Sequence, residues 1–253
     1  MFRTLDLLSA TLASTLRGWR GTVGRHNLVQ PAQLPELYDR EGAPECRLVR
    51  EALTELNLDA MIFPCPDGGS RHLERLRELS GQSQVPFLYD PETNTRLSGA
   101  QAIVDYLFRQ YRGRAAPAQL AASRRNLLLS QLATGLRLGA GVKARASKAA
   151  AQALTLYSFE SSPYSRPVRE LLCELELPYQ LVNLSKQQTA DMGPATFRLH
   201  RGPYQPLPNS KREAFLKRYG RVQVPFLVDP NTSSEIFESA DILRYLKQTY
   251  ASQ

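Results

Sequence analysis

The chain has 253 residues, of which 42% are hydrophobic and 22% are charged, and its formal net charge is +8. These values are typical of a globular protein with one large domain or two small ones. Three widely spaced cysteines exclude a disulfide framework, and no metal-ligand spacing is present, so we expect no metal site and a reducing, cytoplasmic setting. We also expect no membrane-spanning helix, because no stretch approaches the roughly 20 apolar residues that one needs.

Residues 1–33 are predicted to form an amphipathic helix and the lead-in to the first domain. Apolar residues recur there at helical spacing, with arginines nearby. A signal peptide would need a cleaner apolar run, because Asp6 and several hydroxyl side chains interrupt this one. We expect the helix either to pack on the body of the protein or to lie on a membrane surface or a partner. The apolar positions are Phe2, Leu5, Leu8, Leu12, Leu16 and Trp19.

The rest of the chain contains an internal repeat. The block at residues 47–58 recurs at 166–177, displaced by 119 residues, and the block at 84–91 recurs at 223–230, displaced by 139. Matching blocks in the same order indicate a duplication, and the second copy carries about 20 additional residues between them. The duplicated units are predicted at residues 34–111 (repeat 1) and 154–253 (repeat 2).

Each repeat is predicted to run strand, helix, strand, helix, strand, strand, helix. In repeat 2, residues 154–159 form a β-prone run, the 166–177 block places leucines on one helical face, and residues 179–184 alternate like a strand. The remaining elements are expected at 211–219 (helix), 224–228 (strand) and from Ser239 onward (helix). This order is that of a thioredoxin-like domain, so the predicted fold class is α/β with two such domains in tandem.

Residues 112–153 are predicted to form a basic, partly helical linker. No Asp or Glu occurs between Asp105 and Glu160, whereas nine arginines and lysines lie between Arg109 and Lys148. Aromatic or glycine-rich readout elements are not evident, so we expect no nucleic acid. Either the segment is only solvated, or residues 109–148 contact an anionic membrane surface or an acidic protein. The latter would place a cytoplasmic protein at the inner face of a membrane.

Several motifs lie where a thioredoxin-like domain carries its active site. The turn after the first strand of repeat 2 reads Ser162-Pro163-Tyr164-Ser165, the frame in which glutaredoxins place Cys-Pro-Tyr-Cys. Val224-Pro225 and Glu238-Ser239 follow, and repeat 1 carries Phe63-Pro64-Cys65-Pro66. The two repeats resemble the N-terminal domains of glutathione transferases over residues 34–111 and 154–250, and the chain is similar to tandem proteins built from two of them. The all-helical C-terminal domain of ordinary transferases is not expected.

The resemblance implies glutathione as a co-substrate that reacts with an unknown electrophile. Ser162 and Ser165 are the implied catalytic residues, with Ser162 donating a hydrogen bond that favours the glutathione thiolate. Val224 would pair with the cysteinyl backbone, and Glu238 with Ser239 would hold the γ-glutamyl group. In the alternative interpretation, the serines only cap the following helix. The implied glutathione-binding residues are Tyr164, Arg166, Val224, Pro225, Glu238 and Ser239.

Repeat 1 departs from this pattern. Ala43 stands at the position of Ser162, and Gly99-Ala100 stands where repeat 2 has Glu238-Ser239. Cys46 stands at the position of Ser165. It is either a redox thiol or a residue that packs in the core or caps the helix. We therefore expect repeat 1 to be structural or to bind a partner.

The sequence favours a glutathione-binding, transferase-like protein that uses a serine-type site in repeat 2. One alternative is a non-catalytic interaction or membrane-surface scaffold, and another is a glutaredoxin-type thiol oxidoreductase. The proline-rich insertion at 192–211 is expected near the active-site edge, where it would line a second-substrate pocket.

Overall fold

A computed structural model describes residues 2–24, 29–199 and 202–252, with side chains from Leu5 onward. One helix precedes each repeat: α1 (Phe2–Leu16) and α5 (Arg124–Gly135). Repeat 1 contains β1 (Glu36–Asp39), α2 (Pro44–Leu56), β2 (Ala60–Pro64), α3 (Leu73–Ser80), β3 (Phe87–Asp90), β4 (Thr95–Ser98) and α4 (Ala100–Arg112). Repeat 2 contains β5 (Leu154–Ser158), α6 (Arg166–Glu174), β6 (Tyr179–Asn183), α7 (Lys211–Tyr219), β7 (Phe226–Asp229), β8 (Ser234–Phe237) and α8 (Ser239–Tyr250).

The two repeats share one eight-stranded sheet with the order β4-β3-β1-β2-β6-β5-β7-β8. Within each repeat the first two strands are parallel and the last two are antiparallel to their neighbours. The repeats meet where β2 pairs antiparallel with β6, and Met61 lies opposite Gln180. Because these two residues are 119 positions apart, they are equivalent in the duplication. A pseudo-twofold axis therefore passes between them.

Helices cover both faces of this sheet. Successive apolar residues of a strand point to opposite faces, so each face has apolar side chains to bury. Leu37 of β1 belongs to a large core shared by both repeats and by α2, α4, α6 and α8, whereas the adjacent Tyr38 packs on the opposite face with Leu76 of α3. In repeat 2, Phe215 of α7 and Phe226 of β7 form the corresponding cluster on the opposite face. The predicted α/β class with two tandem thioredoxin-like domains is confirmed.

The pseudo-twofold relation extends to α1 and α5, which pack against each other. Leu12-Ala13 and Leu16-Arg17 of α1 match Leu132-Ala133 and Leu136-Arg137, displaced by 120 residues. The residues after each helix cross to the other repeat, since Val23 bridges Lys186 and Lys143 bridges Asp67. The segment predicted as a basic linker thus contains a structural counterpart of the N-terminal helix.

Close approach at these crossings requires glycine. Gly21 and Gly141 are equivalent and have φ values of 71° and 74°. A Cβ on Gly21 would lie 2.7 Å from Glu160 Cβ, and one on Gly141 would lie 3.0 Å from Glu41 Cβ. Each glycine therefore lets the residues after α1 or α5 reach a carboxylate-bearing loop of the other repeat.

A buried network of charges fills the space between the repeats. Arg50 of α2 pairs with Glu160 at 3.0 Å and with Glu41 at 3.2 Å, while Arg169 of α6 pairs with Glu41 at 3.0 Å and Glu160 at 3.1 Å. Two further pairs, Arg17–Glu51 and Arg137–Glu170, join α1 to α2 and the end of α5 to α6, both at 2.6 Å. The pairs Arg50–Glu160 and Arg169–Glu41 join the two repeats, and removing one partner of such a pair would leave a buried charge uncompensated.

One position breaks the symmetry of this network. Asp39 accepts two hydrogen bonds from Arg50 Nη1, at 2.6 and 2.8 Å, whereas its equivalent in repeat 2 is Ser158, which accepts one from Arg169 Nη1 at 3.2 Å. Burial raises the pKa of Asp39 to about 6 against the attraction of Arg50. Burial alone would also raise the pKa of Glu160, but Arg169 and Arg50 hold it down at about 2.

Over residues 2–24, 29–199 and 202–252, no helix combines the length and apolar character required to cross a bilayer. The same residues include no group of His, Cys, Asp and Glu side chains that could hold a metal ion.

Candidate functional site

The turn between β5 and α6 holds Ser162 in a defined hydrogen-bonding state. Ser162 is only 2% exposed, and its Oγ accepts from the Ser165 backbone N–H at 3.3 Å and from the Ser165 hydroxyl at 3.0 Å. Both acceptor positions of the Ser162 hydroxyl are then occupied, so its own proton is the group left to donate. Capping and thiol recognition are therefore compatible roles for this side chain.

Residues at the end of α1 and just after it support this turn from outside repeat 2. Ser14 Oγ donates to the Ser161 carbonyl at 2.9 Å, and the Gly21 carbonyl accepts from Ser161 N–H at 3.1 Å. Thr22 Oγ1 also shares a hydrogen bond with Ser161 Oγ. The N-terminal segment thus fixes the loop that carries Ser162.

A cavity of about 430 Å³ opens beside the turn. Ser162, Tyr164 and Val224 line it from repeat 2, and Leu7, Thr11 and Trp19 line it from α1 and the turn that follows. Met192, Pro194 and Arg198 of the proline-rich insertion complete this wall, while residues 200 and 201 of the insertion lie outside the described part of the chain. The cavity is large enough for a small ligand, and much of its lining is apolar.

Cations predominate among the charged groups of the cavity. Lys186, Arg198 and Arg212 line it, and Asp191 is the one carboxylate among the described lining residues. Lys186 Nζ donates to the Gly193 carbonyl at 2.9 Å. Burial, reinforced by Arg212 and Arg198, lowers the pKa of Lys186 to about 8. A ligand carboxylate beside these groups would relieve their mutual repulsion.

Glu238 and Ser239 lie at the start of α8, outside the lining of this cavity, and one side chain connects them to it. Gln223, which does line the cavity, donates from Nε2 to Glu238 Oε1 at 2.5 Å. Glu238 is exposed and adopts φ 69° and ψ 120°, a conformation that is costly for a residue other than glycine. Pro225 is buried after a cis peptide bond at Val224.

Arg166 lies elsewhere. It is buried in the charge network beside Glu170, with Nε 3.4 Å from Glu170 Oε1, and burial lowers the pKa of its guanidinium. Ser165 is also buried and acts on the cavity through Ser162. Of the predicted catalytic and glutathione-binding residues, the cavity therefore brings together Ser162, Tyr164 and Val224.

Several cavity residues were not predicted from the sequence as site residues, among them Lys186, Gln223 and Trp19. Lys186 directly follows β6, and Gln223 belongs to the repeated block that contains Val224, so both stood next to recognised features. Trp19 was predicted only as an apolar position of the N-terminal helix, because tertiary packing alone brings it to the cavity of repeat 2.

The equivalent turn of repeat 1 carries Ala43 in place of Ser162 and Cys46 in place of Ser165. Cys46 is fully buried, its Sγ accepts from Arg40 N–H at 3.4 Å, and burial raises the pKa of its thiol well above the ordinary value. Cys65 and Cys173 are also free and buried. A thiol in this state is a poor nucleophile, since the reactive form is the thiolate.

The family comparison agrees with this duplicated architecture. The family model described as Glutathione S-transferase, N-terminal domain matches residues 37–115 and again residues 156–253. Comparison with curated proteins gives no match, and neither does comparison with solved structures. The two matched segments together cover well over half of the chain, which therefore belongs to the glutathione S-transferase N-terminal domain family.

Proposed function

We propose that repeat 2 binds glutathione and presents its thiolate to an electrophile. The observation that carries the proposal is the hydrogen bonding of Ser162, a residue that lines the cavity and whose Oγ has both acceptor positions occupied by Ser165. A hydroxyl in this state can donate to a sulfur atom, and a hydrogen bond to the charged form of a thiol lowers its pKa. Serine cannot form a disulfide, so the proposed chemistry is nucleophilic attack by the glutathione sulfur rather than dithiol exchange.

The remaining groups match the ends of the tripeptide. The backbone of Val224 lies at the cavity and suits the cysteinyl part, while the Glu238 carboxylate and the amides at the start of α8 suit the γ-glutamyl ammonium and carboxylate. Lys186 or Arg212 would hold the glycyl carboxylate. Tyr164, which is partly exposed at the cavity, would cover the bound peptide.

The second substrate would enter against α1. Leu7, Trp19 and Met192 give the cavity apolar lining, and ordinary transferases take such lining from a C-terminal domain that the described fold lacks. The thiolate would attack an electrophilic centre there, forming a new bond to sulfur as a leaving group departs or a double bond is saturated. Three free, buried thiols suit a reducing, cytoplasmic setting for this reaction.

Calorimetric titration of glutathione into the full chain tests the proposal. We expect saturable binding that Glu238→Ala weakens by about 1.5–3 kcal/mol, because the ligand ammonium loses a charged partner. Glu235 is an exposed carboxylate on β8, so Glu235→Ala is the matched control and should leave the affinity unchanged.

Ser162→Ala separates thiol activation from peptide binding. We expect glutathione to bind the variant with a higher thiol pKa, read from the thiolate absorbance of the complex, because the donated hydrogen bond is lost. Absence of binding heat for the wild-type chain at millimolar glutathione would contradict the proposal and favour a non-catalytic scaffold.

A further inference from the structure

The outer surface of α1 and α5 exposes an unusual amount of apolar area. Eight large apolar side chains lie there, and the leucines among them are 38% to 58% exposed. The two rows are equivalent in the duplication, and the helices that carry them pack against each other. The exposed residues, which define the α1/α5 face, are Leu5, Leu8, Leu12, Leu16 and Trp19 on one side and Leu128, Leu132 and Leu136 on the other.

Other residues of the two helices and of the turns that follow them face the body of the protein. Ala10 and Ala13 of α1 and Ala133 of α5 are fully buried, and Arg17 and Arg137 reach into the charge network. Each leucine of the α1/α5 face, by contrast, leaves more than a third of its surface exposed. Contiguous apolar patches of this kind mark interaction surfaces in soluble domains.

The charges around the face are almost all positive. Arg124 and Arg125 begin α5, both are exposed, and neither forms an ion pair among the described residues. The one carboxylate in the described residues of the two helices is Asp6, which is already paired with Arg137.

A basic groove adjoins the face beside Trp19. The groove has a volume of about 600 Å³ and is lined by Arg20, Arg112 and Arg114, with Glu55 as the carboxylate among its described lining residues. Burial and the neighbouring Glu51 raise the pKa of Glu55 to about 7, so it offers these arginines only a partial counter-charge near neutral pH.

This combination favours a lipid surface over a second molecule of this chain. Leucines and a tryptophan flanked by arginines are the pattern of a helix that lies in a membrane interface. A symmetric dimer through the same face would bring one positive rim against another, which opposes association. Anionic phosphates would neutralise that rim instead.

We propose that the α1/α5 face docks on an anionic lipid bilayer. Its leucines enter the interfacial region, and the five surrounding arginines contact lipid phosphates. Trp19 belongs both to this face and to the repeat 2 cavity, so docking would set the cavity beside the bilayer. The inference does not depend on glutathione binding. The arginines are Arg20, Arg112, Arg114, Arg124 and Arg125.

Sedimentation of the full chain with vesicles tests docking. We expect binding to vesicles of phosphatidylcholine with phosphatidylglycerol and little binding to phosphatidylcholine alone. Leu12→Gln with Leu132→Gln should weaken binding about tenfold or more, because two leucines no longer enter the interface. The matched control is Leu199→Gln with Leu207→Gln, two exposed leucines of the insertion, and it should bind as wild type.

A second variant separates charge from apolar contact. Arg124→Gln with Arg125→Gln should weaken binding about fivefold for each arginine, and added salt should reduce the difference from wild type. Thermal unfolding of each variant verifies that it folds. Equal binding to neutral and anionic vesicles, or full binding by both double variants, would overturn the proposal. So would a dimer of the wild-type chain, seen by light scattering without lipid, that the leucine variant dissociates.

Discussion

The two repeats have the same fold and differ most where a ligand would bind. In repeat 2 the serine turn is held by polar contacts, with Thr22 bonded to Ser161. At the equivalent place in repeat 1, Val142 packs on Gly42, where an added Cβ would lie 2.4 Å from Val142 Cγ2. Register, core and crossing segments are common to both halves. The shared core therefore specifies the fold of both halves, whereas a few residues around one turn differ between them.

The start of the last helix shows the same contrast. Glu238 and Gly99 are equivalent and both have positive φ, at 69° and 85°. Glycine adopts this conformation at little cost, whereas glutamate is strained by it. A strained side chain retained in repeat 2 alone is consistent with a binding role there.

The largest expected effect comes from breaking the two halves of the charge network separately. Arg50→Met should lower the free energy of unfolding by about 5 kcal/mol and Arg169→Met by about 3 kcal/mol, because only the former also strands Asp39. Denaturant unfolding measures both values. Arg75→Met, in an exposed pair with Glu78, is the control and should cost less than about 0.5 kcal/mol. Equal losses for Arg50 and Arg169 would mean that Asp39 adds nothing.

The pH dependence of stability should have opposite signs for two carboxylates of this network. The folded-state pKa of Glu160, about 2, lies below its ordinary value of 4.5, so its contribution is present above that value and is lost as the pH falls toward 2. The folded-state pKa of Asp39, about 6, lies above its ordinary value of 3.8, so its contribution is present at low pH and is lost as the pH rises through 6.

Substituting each carboxylate separates its contribution to the pH dependence of stability. In the wild-type chain, the free energy of unfolding should fall by about 3 kcal/mol as the pH drops from about 5 to 2, and Glu160→Gln should abolish this fall. It should also fall, by a smaller amount, as the pH rises from about 4 to 6, and Asp39→Ser should abolish that fall. Unfolding free energies at several pH values provide the measurement. A wild-type curve that Asp39→Ser leaves unchanged would show that Arg50 compensates its burial fully.

The hydrogen bond between Thr22 and the serine turn should affect glutathione binding, whereas the equivalent residue of repeat 1, Val142, should not. Thr22→Val copies the residue found in repeat 1 and should weaken glutathione binding about tenfold, or about 1.4 kcal/mol, because Ser161 loses a partner and the turn loosens. The reciprocal change, Val142→Thr, should leave the affinity unaltered. Calorimetry measures the glutathione affinity of both variants. Equal losses of affinity would indicate a general loss of packing.

The smallest expected effect is a gain in stability. Glu238→Gly should raise the free energy of unfolding by about 1 kcal/mol through relief of backbone strain, while it weakens glutathione binding. Gly99→Ala tests the converse in repeat 1 and should cost about 1 kcal/mol at φ 85°. Destabilisation by Glu238→Gly would show that the Gln223 contact outweighs the strain.

Much of the fold could be predicted because the duplication repeats its hydrophobic blocks and turns. Ser162 and Val224 stood in recognisable motifs, and the structure does bring both to one cavity. Local sequence could not reveal that Arg166 lies in the charge network, because helical position does not show what lies across a pseudo-twofold interface. The crossing after α1, and with it Trp19, depends on contacts between residues more than 100 positions apart.

The antiparallel pairing of β2 with β6 makes this chain a twofold dimer whose halves are covalently joined. In a dimer of identical chains every substitution occurs twice, so one site cannot be lost while the other is kept. Joining the halves removes that constraint, so one molecule can carry Ala43 in repeat 1 and Ser162 at the equivalent position of repeat 2. The tether also holds the halves at a high effective concentration, so assembly is independent of protein concentration. The two halves can then differ in sequence at equivalent positions while they keep a common fold.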